Sequence, residues 1–474
     1  MNTINVIKTF VGHDANKQIK IGVIGDILLD EYYFVDAGRI SPEFPIQILK
    51  SNTHSPQKTL PGGAANVAYQ TSEFNVDCTL FGCVDPEAAA QLHRYKFKLV
   101  CENHGKRIPR KKRFYDGKHA LMRWDVEDLH EEDFGDWSIA RDKLLKKIQD
   151  FIETKPDIII LSDYNKGFFK NDIAKKIINL CNKNNIKTIV DPKSKPIHRW
   201  KGCTVFKPNY NESVHLSDQN ESPCCYLKDK LDCDAVIVTM GKLGVITHDG
   251  TNNKCKTYCP DRAIPEQSVI GAGDCFAAVY AIALAHGVTY DEASIIAYES
   301  GSLYVQRHHN TPITPLELHL STDPVNGKII KSNIIKKSNE KLVFCNGVFD
   351  LGLHKAHLEL LRYAKSLGDK LIVAINSDSS TSQLKGPNRP IINQYDRALS
   401  LACLSFVDYV VVFDELTPKS LIESIMPAII VKGGDYKKND VIGSEIVGVN
   451  NVIIFDYQPD ISVTKTIEKI KSQD

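Results

Sequence analysis

Six apolar runs of strand length, IKIGVIGD, TLFGCV, DIIILSD, KTIVDP, CTVFKP and AVIVTMG, recur along the first half of the chain with helical stretches between them. Runs that are apolar throughout suit strands covered on both faces, and parallel strands need a crossover between each pair. The alternation therefore predicts an α/β fold with a parallel sheet and argues against a helical bundle or an antiparallel sandwich. Helices are expected after Asn171 and from Asp274 onward, where FAAVYAIALA is apolar nearly all round, as a buried helix is.

Around residues 321–341 the text turns polar and basic, STDPVNGKIIKSNIIKKSNEK, and the pattern then restarts with KLVFCNGVFD, a helix to about Leu367, and KLIVAINSD. At 474 residues the chain is too long for one ordinary core. We expect a first domain over residues 1–322, a linker over 323–340 and a smaller α/β domain over 341–474.

With 59 Lys+Arg against 58 Asp+Glu there is no global field to draw the chain to nucleic acid or a membrane surface. The basic run RIPRKKR (residues 107–113) reads as a solvated loop or as a lid near anionic ligands. The first residues lack the apolar stretch of a signal peptide and no segment is apolar for long enough to span a bilayer, so a cytoplasmic protein is expected. Thirteen cysteines without repeated CxxC pairing support neither a disulfide framework nor a zinc site. Cys255 and Cys259 lack two further ligands at suitable spacing and read as ordinary packing, so no directly bound metal is expected.

Three glycine-bearing or acidic turns carry chemistry. In QSVIGAGDCFAAVYAIALAHG (residues 267–287), Gly271, Ala272 and Gly273 open a helix whose free amides and positive dipole end make an anion site, with Asp274 beside it. PGGAANVA (residues 61–68) is a second glycine-led helix start, and IGVIGDILLDEY ends a strand with Asp26 and Asp30, carboxylates suited to sugar hydroxyls. A sugar hydroxyl is a poor nucleophile, so a carboxylate in reach serves as general base while preorganised amides neutralise the growing charge. Asp274 is the expected base. Asp26, Asp163 and Asp191 read equally as strand-end caps or ligands.

With RISPEFP (39–45), LSDYNKG (161–167), VDPK (190–193) and KPNYNE (207–212), these turns resemble the ribokinase-type sugar kinases, and within them the heptose 7-phosphate kinase branch, over nearly all of residues 20–318. The resemblance implies Mg²⁺ and ATP phosphates organised through water by Asn209 and Glu212. It also implies nucleotide contacts from Thr239, Gly241, Gly271, Ala272 and Gly273, and a sugar held by Asp26, Asp30, Gly62, Gly63 and Asn66. One departure stands out: Ser268, Val269 and Ile270 replace the family's Asp-x-Thr before GAGD.

VFCNGVFDLGLHKAHLELLRYAK (residues 343–365) reads as strand, turn and helix, with His354 and His357 spaced to share one helical face. With VAINSD, LKGPNRPI, YDRA, VKGGDY and ISVTKTI in order, residues 341–471 resemble the cytidylyltransferase-like nucleotidyltransferases, most closely the adenylyltransferase half of bifunctional heptose enzymes. This implies a Rossmann-like domain in which His354 and His357 grip ATP phosphates, with Lys385, Arg389, Ser462, Thr464 and Lys465 assisting. Asp378, Arg397 and Asp435 read as ligands or as structural caps and ion pairs. Here too the motif departs: Ala356 replaces the usual glycine and Gly352 is an extra residue.

The two resemblances together imply a ribokinase-like domain followed by a smaller nucleotidyltransferase, acting on sugar phosphates and ATP in ADP-heptose synthesis. They also imply a separate phosphatase between the two steps, and a homodimer. The altered SVIGAGD and HKAH motifs leave open one working half beside a scaffold, or a non-catalytic sensor.

Overall fold

The structure is a computed structural model that describes residues 18–456, apart from 52, 104, 118, 128–136, 194, 251–253, 261–267, 308–309, 323–324, 331, 333–334, 336–339, 351 and 435. The chain divides into two compact units, Met1–Leu318 and His319–Asp474.

The first unit contains β1 (Lys20–Gly25), β2 (Ile27–Phe34), β3 (Asp36–Ile40), β4 (Gln47–Lys50), β5 (Lys58–Gly63), β6 (Asp77–Cys83), β7 (Lys98–Glu102), β8 (Arg110–Asp116), β9 (His119–Val126), β10 (Ile158–Ser162), β11 (Lys187–Asp191), β12 (Val205–Phe206), β13 (Ala235–Thr239), β14 (Val245–His248) and β15 (Lys256–Tyr258). Nine of them form one sheet in the order β15-β14-β13-β12-β11-β10-β1-β6-β7. All the pairs from β13 to β7 are parallel, and β14 and β15 add an antiparallel edge. The side-chain period of two explains why the central strands are apolar throughout. Ile158 and Ile160 of β10 enter one core while Ile159 and Leu161 enter the core on the opposite face. The Ala272–Ala285 helix is buried from Asp274 to Leu284, as its apolar composition predicts.

A second sheet, β5-β2-β8-β9, was not expected. RIPRKKR corrects the loop reading: its last four residues begin β8, paired in parallel with β2. The alternation of a strand splits the basic run between two faces. Arg113 meets Asp30 at 2.7 Å on one face, and Arg110 meets Glu31 at 2.8 Å on the other. Asp30 likewise lies inside β2 rather than at a strand end.

The second unit is a five-stranded parallel sheet in the order β18-β17-β16-β19-β20, formed by β16 (Leu342–Gly347), β17 (Lys370–Asn376), β18 (Tyr409–Phe413), β19 (Ile429–Gly433) and β20 (Val452–Phe455). Part of the stretch expected as linker belongs to this unit, because Ile329 bridges Val410 and Lys328 Nζ donates to the Leu404 carbonyl at 2.8 Å. Among the described residues no helix is long and apolar enough to cross a membrane.

Candidate functional site

In the first unit the expected groups collect at the C-terminal edge of the parallel strands. Asp26 follows β1, Asp163 follows β10, Asp191 ends β11, Lys207 follows β12 and Thr239 ends β13. The chain passes from β1 to β6 on one side and returns to β10 on the other, so this edge holds the crevice of a topological switch point.

Asp274 stands in the first turn of the helix that Gly271 opens with φ 78°. A Cβ at Gly271 would sit 2.5 Å from Tyr304 Oη and 2.7 Å from Asn66 Nδ2, so no other residue fits that turn without displacement. A Cβ at Gly273 would have Lys207 Nζ as its nearest neighbour, at 3.9 Å. The Ala272 amide donates to the Val269 carbonyl at 3.3 Å, while the space beside Gly273 opens toward a cation, which fits an anionic ligand at this helix start. Asn66 Nδ2 donates to one oxygen of Asp274 at 2.7 Å and Tyr164 Oη to the other at 2.5 Å. Burial raises the Asp274 carboxyl above the ordinary range, while these two bonds and the charges of Lys111 and Lys207 oppose the rise. Burial and the same carboxylate hold the Tyr164 phenol well above its usual value, so it remains a donor.

The surrounding carboxylates are already paired. Lys207 Nζ lies 3.0 Å from Asp191, whose carboxyl burial pushes up to about 6 against the pull of that ammonium. Lys193 Nζ lies 2.6 Å from Glu212 Oε1. The N-x-x-E spacing of Asn209 and Glu212 is a reciprocal capping box on the Tyr210–Leu216 helix, each side chain accepting the other's backbone N–H at 2.8 Å. Thr239 bridges Asn209, and Gly241, at φ 56°, leaves open space where a Cβ would stand.

Two expected sugar ligands already have partners within the chain. Asp26 is 3% exposed and accepts the backbone N–H groups of Tyr164, Lys166 and Phe168 at 2.8, 3.0 and 3.0 Å. It is the strand-end cap that holds the loop carrying Tyr164. Burial and the neighbouring Asp163 raise its carboxyl to about 6. Asp30 accepts from Arg113 and, at 3.0 Å, from Asn310 Nδ2, with Gly62 leaving it room: a Cβ there would come within 2.8 Å. Gly63, at φ 57°, precedes the Ala64–Ser72 helix that carries Asn66. Asp163 accepts the Asn165 amide at 2.8 Å, a turn-forming contact.

Where the family's Asp-x-Thr is missing, Ser268 Oγ accepts the Ile270 amide at 3.4 Å, and Val269 points to solvent. Tyr164, Lys111, Lys193 and Lys207 were not singled out by the sequence, although each lies inside a quoted motif.

In the second unit the expectation that both histidines sit on one helical face needs correction. His354 is the extended residue capping the Lys355–Ser366 helix, with φ −100° and ψ 170°, and His357 lies in the first turn. Their rings nevertheless stack, with centroids 3.8 Å apart, and His357 packs edge-on against Phe349 at 4.9 Å. The extra Gly352 takes up a left-handed φ of 85° with open space beside it, so the insertion is absorbed before the pair. Both Nδ1 atoms are buried without a hydrogen-bond partner among the described residues. Burial, then the neighbouring His354, pushes the His357 imidazole down to about 4, and burial lowers His354 as well.

Lys432, on β19, is a half-buried cation of this unit. Its ammonium donates to Asn346 Oδ1 at 3.1 Å and is lowered by burial, with the nearby Lys385 adding to the effect. Lys385 is exposed at the end of the Asp378–Lys385 helix. Arg389 pairs with the buried Asp350. Arg397 is fully buried and joins three segments, donating to the carbonyls of Ile392 and Val348 at 2.9 and 2.8 Å and to Asp378 at 2.7 Å. Arg397 and Asp378 are thus paired with one another. Asp435, Ser462, Thr464 and Lys465 lie outside the described residues.

Comparison with known proteins follows the same division. A model of the pfkB family carbohydrate kinases matches residues 135–316, and a cytidylyltransferase-like model matches residues 344–474. The bifunctional protein HldE of Campylobacter jejuni subsp. doylei is 34% identical, covering 97% of this chain and 99% of its own. That of Histophilus somni is 34% identical, covering 95% and 97%. Among solved structures, ribokinase from Giardia lamblia (TM-score 0.50, 15% identity) covers 65% of this chain and 100% of its own. Escherichia coli phosphofructokinase-2 in complex with potassium (TM-score 0.51, 17% identity) covers 64% and 98%. At such identities these two speak for the fold alone.

Proposed function

The chain belongs to the family of bifunctional HldE proteins, and from that premise we propose that it makes ADP-heptose in two steps. The first unit transfers a phosphoryl group from ATP to the anomeric hydroxyl of D-glycero-D-manno-heptose 7-phosphate. The second joins heptose 1-phosphate to AMP from ATP, releasing pyrophosphate.

The observation that carries the kinase step is the environment of Asp274. It is 3% exposed and held by Tyr164 and Asn66, in the first turn of the helix that Gly271 opens. Both donors favour the carboxylate, while burial makes it more basic than an exposed one, a combination suited to taking a hydroxyl proton near neutral pH. Lys207 and the first-turn amides face the same space and stabilise charge on the transferred group. When bound, Mg·ATP supplies that group; Asn209 and Glu212 would hold the ion through water, Glu212 exchanging its contact with Lys193.

The nucleotidyl step needs no base, since its nucleophile is a phosphate oxygen, and rests on positioning. His354 and His357 stack at the start of the Lys355–Ser366 helix, and Lys432 with the nearby Lys385 supplies the positive charge for the nucleotide's phosphates. The neutral imidazoles offer N–H donors and gain charge as an anion approaches.

A phosphatase of a separate chain removes the 7-phosphate between the steps. A second copy of the chain is the partner of the β3–β4 hairpin, where Ile40, Phe44 and Ile46 are 75%, 65% and 61% exposed. The decisive test is incubation of the chain with heptose 7-phosphate, ATP, Mg²⁺ and a phosphatase, with products identified by mass spectrometry. ADP-heptose is the expected product. Its absence, with heptose 1,7-bisphosphate also absent, defeats the proposal.

A further inference from the structure

Away from the catalytic edge, Cys225, His248 and Cys255 come together from three separate segments. Cys225 lies in the Pro223–Leu231 helix, His248 ends β14, and Cys255 stands just before β15. The two thiol sulfurs and a ring nitrogen of His248 lie within 4.8 Å of one another. Linear spacing hid this set, because its members are 23 and 7 residues apart in the sequence and the histidine completes it only once β14 and β15 fold back.

We propose that these three side chains bind a zinc ion that fastens the β14–β15 hairpin to the Pro223–Leu231 helix. Two thiolates and an imidazole are soft to borderline donors, a set that selects zinc over magnesium or calcium. Zinc–ligand distances of roughly 2.0–2.3 Å put tetrahedral donors about 3.3–3.8 Å apart, so the side chains need close by only about an ångström. Two thiolates balance the charge of the dication, their protons passing to solvent.

Supporting contacts are in place. His248 is 1% exposed, and its Nδ1 lies 3.4 Å from the Lys254 carbonyl oxygen, the kind of outer partner that orients a ligating imidazole. The Cys224 thiol lies within hydrogen-bond reach of Cys255, which makes a further sulfur donor available. Exposure of Cys255 leaves an approach for the ion.

The ion's part is structural. His248 pairs with Val236 near the start of β13, whereas Thr239, at the catalytic edge, pairs with Val245 at the other end of β14. Zinc here closes a cross-link between helix and sheet edge and stabilises the folded chain in proportion to its occupancy.

The test uses the full chain, reduced, stripped with a chelator and titrated with zinc alone against a competing indicator. One tight equivalent is expected, with a rise in the unfolding midpoint. Cys225→Ser/Cys255→Ser should lose more than about 100-fold in affinity, beyond what loss of an outer partner costs. Cys259→Ser and His354→Ala/His357→Ala should keep wild-type affinity, the latter because its histidines lie in the other unit. No stoichiometric zinc in the wild type, or wild-type affinity in the double serine variant, overturns the proposal. If that variant does not fold, cobalt loaded into the wild type decides: a thiolate-to-cobalt charge-transfer band supports the site, and its absence overturns it.

Discussion

Both units bring a helix start to the C-terminal edge of a parallel sheet, but they finish the polar groups there differently. Around Asp274 the chain supplies its own partners: Tyr164 and Asn66 for Asp274, Lys207 for Asp191, Lys193 for Glu212 and Arg113 for Asp30. Around His357 the two Nδ1 atoms have no partner among the described residues, and burial drives the imidazole toward its neutral form. The contrast follows the two chemistries. A base that removes a proton must be oriented beforehand and kept ionised, whereas a neutral imidazole gains its charge only as an anion approaches.

The comparison breaks first at Asp274. Asp274→Asn should lower kcat for sugar phosphorylation by about 10²–10⁴-fold and leave nucleotidyl transfer by the same chain intact, as read by separate ADP and pyrophosphate assays. Loss of both activities would mean that the residue holds the fold rather than the proton. The reciprocal change, His354→Ala/His357→Ala, should cost nucleotidyl transfer about 10²–10³-fold without touching phosphoryl transfer.

Tyr164→Phe sharpens the first half of the contrast. Removing a bond to a charged group should cost roughly 10–100-fold in kcat/KM. The phenol lowers the Asp274 pKa, so without it Asp274 holds its proton to higher pH and the acid limb of the kcat/KM profile moves upward. A uniform loss with an unmoved limb would point to packing alone.

The smallest effect is a titration. His357 should titrate near 4 in the ligand-free chain and at higher pH with ATP bound, as followed by imidazole NMR. Its folded value lies below that of an unfolded histidine, so unfolding takes up a proton between the two. Its contribution to stability is therefore present above the unfolded value and is lost as pH falls toward 4. An ATP-insensitive signal would remove the histidines from the phosphate site.

The parallel sheet of the first unit was legible because buried parallel strands must be apolar on both faces, and Ile158 to Leu161 show that pattern without help from the rest of the chain. The glycine turn before Asp274 was legible for a similar reason, since only a residue without a Cβ tolerates Tyr304 and Asn66 so close. The fate of Asp26 and of Arg397 was not legible. A carboxylate that caps a loop and one that grips a sugar are the same letter, and which it becomes depends on three amides 138 to 142 residues away.

Periodicity and local backbone demands, then, are written residue by residue, and they alone determined the two α/β units and their order. Partnership is a property of distance in space. Only the folded chain decided that RIPRKKR divides between two faces of β8, that Tyr164 and Asn66 meet on Asp274, and that Cys225, His248 and Cys255 face one another, because each of those contacts joins segments that nothing in the linear order brings together.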